Sequence, residues 1–263
     1  MRKVIYARLL GYLFLVGVMS ACKQDEEPII ISEVEDEFYV EMQEAFLPEG
    51  RSLQLLISTI ALEECLHTSI DVDYFRLSNT ASITINEITP ISDCNPGMAP
   101  ATALVNFGPI DTPTLPLSID IRGAVVNNGS IAVNEDYYRM YMEIEGGIVV
   151  NEDLLRRIPE GTIWGGVLHD ESQESQLAAQ SLLQDIEALS KSQQLLAGNY
   201  GYFEVDDSGM SFKESTPLAD AEVAFQYQLK ESSQQLKAII EQYRSEYGSR
   251  LGIFVYDTLG TVY

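Results

Sequence analysis

The sequence predicts two domains behind a short leader: an all-β antiparallel sandwich over residues 34–158 and an α+β unit of β-α-β-β-α-β order over residues 159–263. Three observations carry that expectation. Short segments in which apolar residues alternate with a strict period of two fill the first half, separated by Pro, Gly and Asn turns. The period switches to three and four in two stretches of the second half. A chain of 263 residues has room for about two ordinary domains.

Taken in order, Phe38, Val40 and Met42 share one strand face, as do Leu53, Leu55 and Ile57, then Ile70, Val72 and Tyr74. Ile83 and Ile85 repeat the pattern, followed by Leu115, Leu117, Ile119 and Ile121, and by Ile131 and Val133. Side chains two apart project to the same side of a strand, so each set supplies one buried face. Leu62 to His67 fits a short turn of helix, and Asp93 to Pro100 a loop. Asn127-Asn128-Gly129-Ser130 reads as a hairpin turn, because Asn-Gly readily takes positive φ. Tyr137 to Val150 carries two more strand-like pieces around Gly146-Gly147. The pattern resembles immunoglobulin-like sandwiches in general, without their signature residues.

In the second half, Thr162 to Leu168 is expected as a strand, and Leu177, Ala178, Leu182, Ile186 and Leu189 form the stripe of a helix. Asp170 with Gln173 fits a capping box, with Gly198 as the stop. Tyr200 to Val205 and Met210 to Lys213 flank the turn Asp206-Asp207-Ser208-Gly209. Thr216-Pro217 opens a second helix with the stripe Phe225, Leu229, Leu236, Ile240, Tyr243 and Tyr247, ended by Gly248. Leu251 to Tyr256 is the last strand. That order is similar to a ferredoxin-like, or split βαβ, unit.

The first residues form a leader. Arg2, Lys3 and Arg8 precede the apolar run Leu9 to Val18, which is too short to span a bilayer, and small residues lead into Cys22. Met19-Ser20-Ala21-Cys22 resembles the lipobox of signal-peptidase-II lipoproteins, with Met19 in place of the commoner Leu. The resemblance implies a signal peptide over residues 1–21, cleavage before Cys22 and a diacylglycerol on its thiol. More than one acyl chain anchors a protein stably. Residues 22–33 then read as an acidic tether, and Lys23-Gln24-Asp25-Glu26-Glu27 resembles the surface-export tag of Bacteroidota lipoproteins. The expected partner is the outer membrane through Cys22 and the expected location the cell surface, the alternative being the periplasmic face.

The formal net charge is −24, and removal of the leader takes away three bases and no acids, which brings it to −27. Such a field repels nucleic acid and anionic headgroups, so a tolerated partner is neutral or cationic. In an exported chain the remaining pair, Cys65 and Cys94, reads as a disulfide. A metal site there has only His67 nearby.

Catalytic signatures are absent: no nucleophile elbow, no phosphate-binding Gly-rich loop followed by Lys, and no His-Glu-x-x-His. With two histidines in the chain, a histidine triad or a multi-histidine metal site lacks material, so no catalytic residue, metal ligand or cofactor is assigned. Among 40 acidic residues no pair stands out; Asp71 with Asp73 fits a solvated strand face, and Asp206 with Asp207 fits a turn. The one local ligand candidate is Trp164 with His169, Asp170 and Glu171, where a strand enters a helix whose N-terminus supplies donors. Asp257-Thr258-Leu259 resembles an O-glycosylation acceptor pattern of Bacteroidota. The sequence therefore favours a binding or scaffolding lipoprotein with an envelope protein or glycan as partner. The alternatives are a carboxylate-dependent hydrolase of surface glycan or peptidoglycan and a pilin-like structural subunit.

Overall fold

A computed structural model describes residues 35–47, 50–77, 79–90, 94–213, 216, 218–219 and 221–263. The leader, the tether and Cys22 lie outside the described residues. Glu35–Tyr263 is one compact unit, mostly β.

Its first part is built from β1 (Phe38–Leu47), β2 (Gly50–Cys65), β3 (Thr68–Leu77), β4 (Thr80–Pro90), β5 (Pro96–Gly108), β6 (Thr114–Ile121), β7 (Val125–Val133), β8 (Tyr137–Met142), β9 (Ile148–Val150) and β10 (Leu154–Arg156). The alternation sets the faces as expected. Val40 pairs with Ile57 and Met42 with Leu55, and these side chains join Ile83, Ile85, Leu117, Ile119 and Ile131 in one buried aliphatic core. The architecture, however, corrects the expected immunoglobulin-like sandwich. The strands are hydrogen-bonded into a single ten-stranded sheet in the order β10-β8-β7-β6-β4-β3-β5-β2-β1-β9. Only Asn151, Glu152 and Asp153 separate β9 from β10, yet these strands stand at opposite ends of that order. The sheet therefore curls until its two edges meet, and the core fills the inside. An alternating pattern demands one buried face per strand and suits either solution; short edge strands joined end to end decide for the curl by leaving little edge unpaired.

Two turns also differ. Asn127 to Ser130 lies within β7, and the chain reverses instead at Arg122 and Gly123, both of positive φ (52° and 68°). Asn127 is fully buried, and its amide brackets Gly146: Nδ2 donates to the Gly146 carbonyl (3.0 Å) and Oδ1 accepts from the Gly146 N–H (2.8 Å). Residues 62–65 continue β2 rather than coiling. The Cys65–Cys94 disulfide is present, with Cα atoms 5.3 Å apart, and it ties the end of β2 to the approach to β5.

The second part comprises β11 (Thr162–His169), α1 (Gln173–Ala188), β12 (Ser190–Lys191), β13 (Gly198–Asn199), β14 (Phe203–Asp206), β15 (Gly209–Phe212), β16 (Val223–Leu229), α2 (Ser233–Tyr247), one 3-10 turn (Gly248–Arg250) and β17 (Leu251–Asp257). It is not the ferredoxin-like unit expected. The hairpin predicted to supply the two middle strands stands apart as the three-stranded sheet β13-β14-β15, and the four-stranded sheet runs β12-β16-β11-β17. Residues 223–229, expected inside the second helix, are a strand, and that helix begins at Ser233. The physical reason is the spacing of Phe225 and Leu229. Four residues is two strand periods and also about one helical turn, so the pair fits both.

The four-stranded sheet is covered on both sides. Ile163, Val167 and Phe225 face Ala178, Ala179, Leu182 and Ile186 of α1 and Leu236 and Ile240 of α2. On the other side Trp164 packs with Ile158, Leu195, Tyr200 and Phe203. Ser172 caps α1 by accepting from the Ser175 N–H (3.2 Å), and α2 ends at Gly248, whose φ is 57°.

The passage from the curled sheet into β11 is held by a buried ion group. Glu44, at 0 % exposure, receives Arg51 at 2.7 Å and Arg157 at 3.5 Å, and accepts from the Ile158 N–H at 3.0 Å. Arg51 also donates to the Ile158 carbonyl (2.6 Å). A buried carboxylate is tolerated only when paired and hydrogen-bonded in this way.

Candidate functional site

The same side of β11 that carries Trp164 holds an aromatic-walled hollow. β11 runs antiparallel to β17 with Trp164 opposite Tyr256, so both rings share a sheet face. Phe46 arrives from the end of β1, and Tyr202 from the connection between β13 and β14. Ring centroids lie 5.4 Å from Trp164 to Phe46, 5.6 Å to Tyr202 and 6.0 Å to Tyr256. These distances suit offset or tilted ring pairs. The rings wall a cavity of about 190 Å³. Trp164 is buried at its floor, whereas Phe46, Tyr202 and Tyr256 are half-buried.

The rim is a turn fixed by Asp257. Its Oδ1 accepts from the N–H groups of Leu259 (2.9 Å) and Thr261 (2.8 Å), and its Oδ2 from the Tyr263 hydroxyl (2.8 Å). Gly260, at φ 80°, closes the turn against the β1–β2 hairpin; a Cβ there would fall 2.5 Å from the Phe46 carbonyl oxygen. The chain then folds back so that Val262 bridges Tyr256. Gly260, Thr261 and Val262 thereby stand over the rings as one wall of the hollow.

Two electrostatic features mark the site. Burial pushes the Tyr202 phenol up to about 12, with the Glu44 carboxylate as the next cause, so the ring stays neutral across the physiological range. Arg51 sits 5.2 Å from the centre of the Phe46 ring, its charge paired with Glu44. The Trp164 Nε1–H is buried without an oxygen or nitrogen acceptor, a feature that costs about 1–3 kcal/mol in a folded core. A second hollow of about 170 Å³ lies on the flank of Tyr202, between Glu41, Gln43, Leu56 and Lys213.

Of the four residues of the ligand candidate read from the sequence, only Trp164 reaches this site, and Asp257, from the glycosylation-like pattern, stands at its rim. His169 lies five residues further along β11, roughly 16 Å at the rise of a strand, and there it stands opposite Leu251. Asp170 is exposed and serves the start of α1: it accepts from the Ser172 N–H (3.0 Å) and hydroxyl, and the Ser172 hydroxyl holds its carboxyl below the usual range. Glu171 is exposed beside it. The four residues do not converge on one point. Asp71 and Asp73 face solvent and share Asn86, whose Nδ2 donates to both (3.3 and 3.0 Å). Among the described residues, no three His, Cys, Asp or Glu side chains gather closely enough to hold a metal ion. Thr258, in the glycosylation-like pattern, accepts from the Gly161 N–H through its hydroxyl oxygen (3.0 Å).

Phe46 and Tyr256 escaped the sequence reading. Each is an ordinary strand or turn aromatic in its own segment, and only the pairing of β11 with β17 and the approach of β1 bring them together. No protein-family model, no curated protein and no solved structure matches this chain.

Proposed function

We propose that this chain is a lipoprotein anchored in the outer membrane through Cys22, displayed on the cell surface, that binds a small ligand group in the hollow around Trp164. Met19-Ser20-Ala21-Cys22 supports the anchor, and the acidic run Asp25-Glu26-Glu27 supports display. The observation that carries the binding reading is the hollow itself: half-buried aromatic rings around a concave space, with both oxygens of the adjacent carboxylate engaged by the turn. Such a site offers a shaped aromatic hollow with its carboxylate held in a turn, which suits retention of a group.

Protease accessibility on intact cells tests the placement, with wild type compared against Asp25, Glu26 and Glu27 replaced by Ala. Wild type is expected to be shaved and the variant protected. Cleavage seen only after lysis, in both, would move the protein to the periplasmic face. A Cys22→Ser variant is expected to lose incorporation of labelled fatty acid; retained label overturns the anchor.

A further inference from the structure

We infer that the hollow around Trp164 seats a quaternary ammonium group. This rests on the reading that the hollow is the ligand seat, and it names the chemistry of what sits there. The walls include rings from three other parts of the chain, Phe46, Tyr202 and Tyr256, all centred 5.4–6.0 Å from the Trp164 ring. Ring faces carry negative charge density, and a cation within about 6 Å of a ring centre is attracted to it. Several aromatic rings around one small space favour a cation over a neutral group of the same shape.

Size and hydrogen bonding narrow the class. A cavity of about 190 Å³ is smaller than the roughly 300–1,000 Å³ of sites for whole small molecules, so it takes a headgroup rather than a body. Asp257 stands at the rim with both carboxylate oxygens engaged by Leu259, Thr261 and Tyr263. Three hydrogen bonds from the turn already occupy most of its accepting positions. A primary ammonium would bring N–H donors that need acceptors, and leaving them unpaired is costly. A quaternary ammonium has none to satisfy. Arg51, beside the Phe46 ring, is held by Glu44 at 2.7 Å, and the chain's net charge of −24 draws cations toward the protein as a whole.

Trp164 is the single tryptophan of the chain, so its fluorescence reports on the hollow without interference. The test titrates the full-length protein, in a detergent free of ammonium groups, with choline and separately with dimethylbutanol, its uncharged carbon isostere. Choline is expected to give a saturable change and to bind about five- to thirty-fold more tightly than the isostere, the span of a desolvated cation–π contribution. Tyr256→Phe keeps that preference, and Tyr256→Leu, with an unchanged far-ultraviolet spectrum, loses most of it. Equal binding of both probes overturns the cation assignment while leaving the hollow a ligand seat. A folded protein that responds to neither overturns the seat as well.

Discussion

β11 has a different core on each of its two sides. Toward the helices, Ile163 and Val167 meet Ala178, Ala179, Leu182, Ile186, Leu236 and Ile240, all aliphatic and all buried. Toward the curled sheet, Trp164 meets Phe203 and Tyr200 with Phe46, Tyr202 and Tyr256 at the margin. Branched aliphatic side chains interdigitate to the density of an organic crystal. Flat rings set against Trp164 at 55° (Phe46), 36° (Tyr202) and 18° (Tyr256) do not fill the space beside them, and about 190 Å³ is left open. One strand thus separates a close-packed aliphatic side from a side that leaves a hollow, the proposed ligand seat.

The largest effect is expected at the joint that keeps the two parts of the chain in register. Glu44→Ala leaves Arg51 and Arg157 facing each other in a partly closed space and removes the acceptor of the Ile158 N–H. Removing one partner of a buried ion group costs about 3–5 kcal/mol. The arginine side chains retain 18 % and 23 % exposure, which places the expected loss near the lower end. Denaturant unfolding measures it; an unchanged midpoint would mean that the group contributes nothing to the joint. Because Phe46 lies two residues from Glu44, the same variant is expected to weaken binding in the hollow.

A matched pair of substitutions sharpens the contrast between the two sides. Leu182→Ala, on the helix side at 0 % exposure, is expected to cost about 3 kcal/mol through lost contacts and the cavity left behind. It should leave Trp164 fluorescence and choline affinity as in wild type. Tyr256→Leu, on the other side and half-buried, is expected to cost about 1 kcal/mol while removing the binding preference. If both variants moved both properties together, the two sides would be one cooperative core and the division would fail.

How much of this was legible in the sequence differs between the two sides in the same way. The aliphatic faces of β1, β2, β4 and β6 follow from period-two alternation at Val40, Ile57, Ile83 and Ile119, and their burial agrees residue by residue. The stripe Ala178, Leu182, Ile186 likewise identifies α1. The curl was hidden because β9 and β10 are three residues long, below the length at which alternation is visible. Asn127 misled because an Asn-Gly pair signals a turn by its backbone freedom, whereas here the side-chain amide is what matters. The aromatic hollow was illegible for a stronger reason. Phe46, Trp164, Tyr202 and Tyr256 are distant in sequence, and no local pattern encodes which strands will lie side by side.

The smallest effect concerns high pH and touches both sides of the sheet. The Tyr202 phenol, raised from 10.0 to about 12 by burial and by Glu44, belongs to the aromatic side. The Tyr243 phenol, on α2, is likewise raised to about 12, by burial and by its hydrogen bond to Asp185 (2.9 Å). In both, the folded state holds its proton more tightly than the unfolded chain does. The stabilisation they bring is therefore fully present below pH 10.0 and is lost as pH rises toward about 12. Melting temperature followed across that window is expected to stay level and then fall. Tyr202→Phe and Tyr243→Phe each remove one of the raised phenol titrations and lessen the fall. Only Tyr202→Phe is expected to alter the Trp164 emission that accompanies it, since only Tyr202 stands beside that ring. An alkaline change in emission that persisted undiminished in Tyr202→Phe would show that the aromatic side opens by another route.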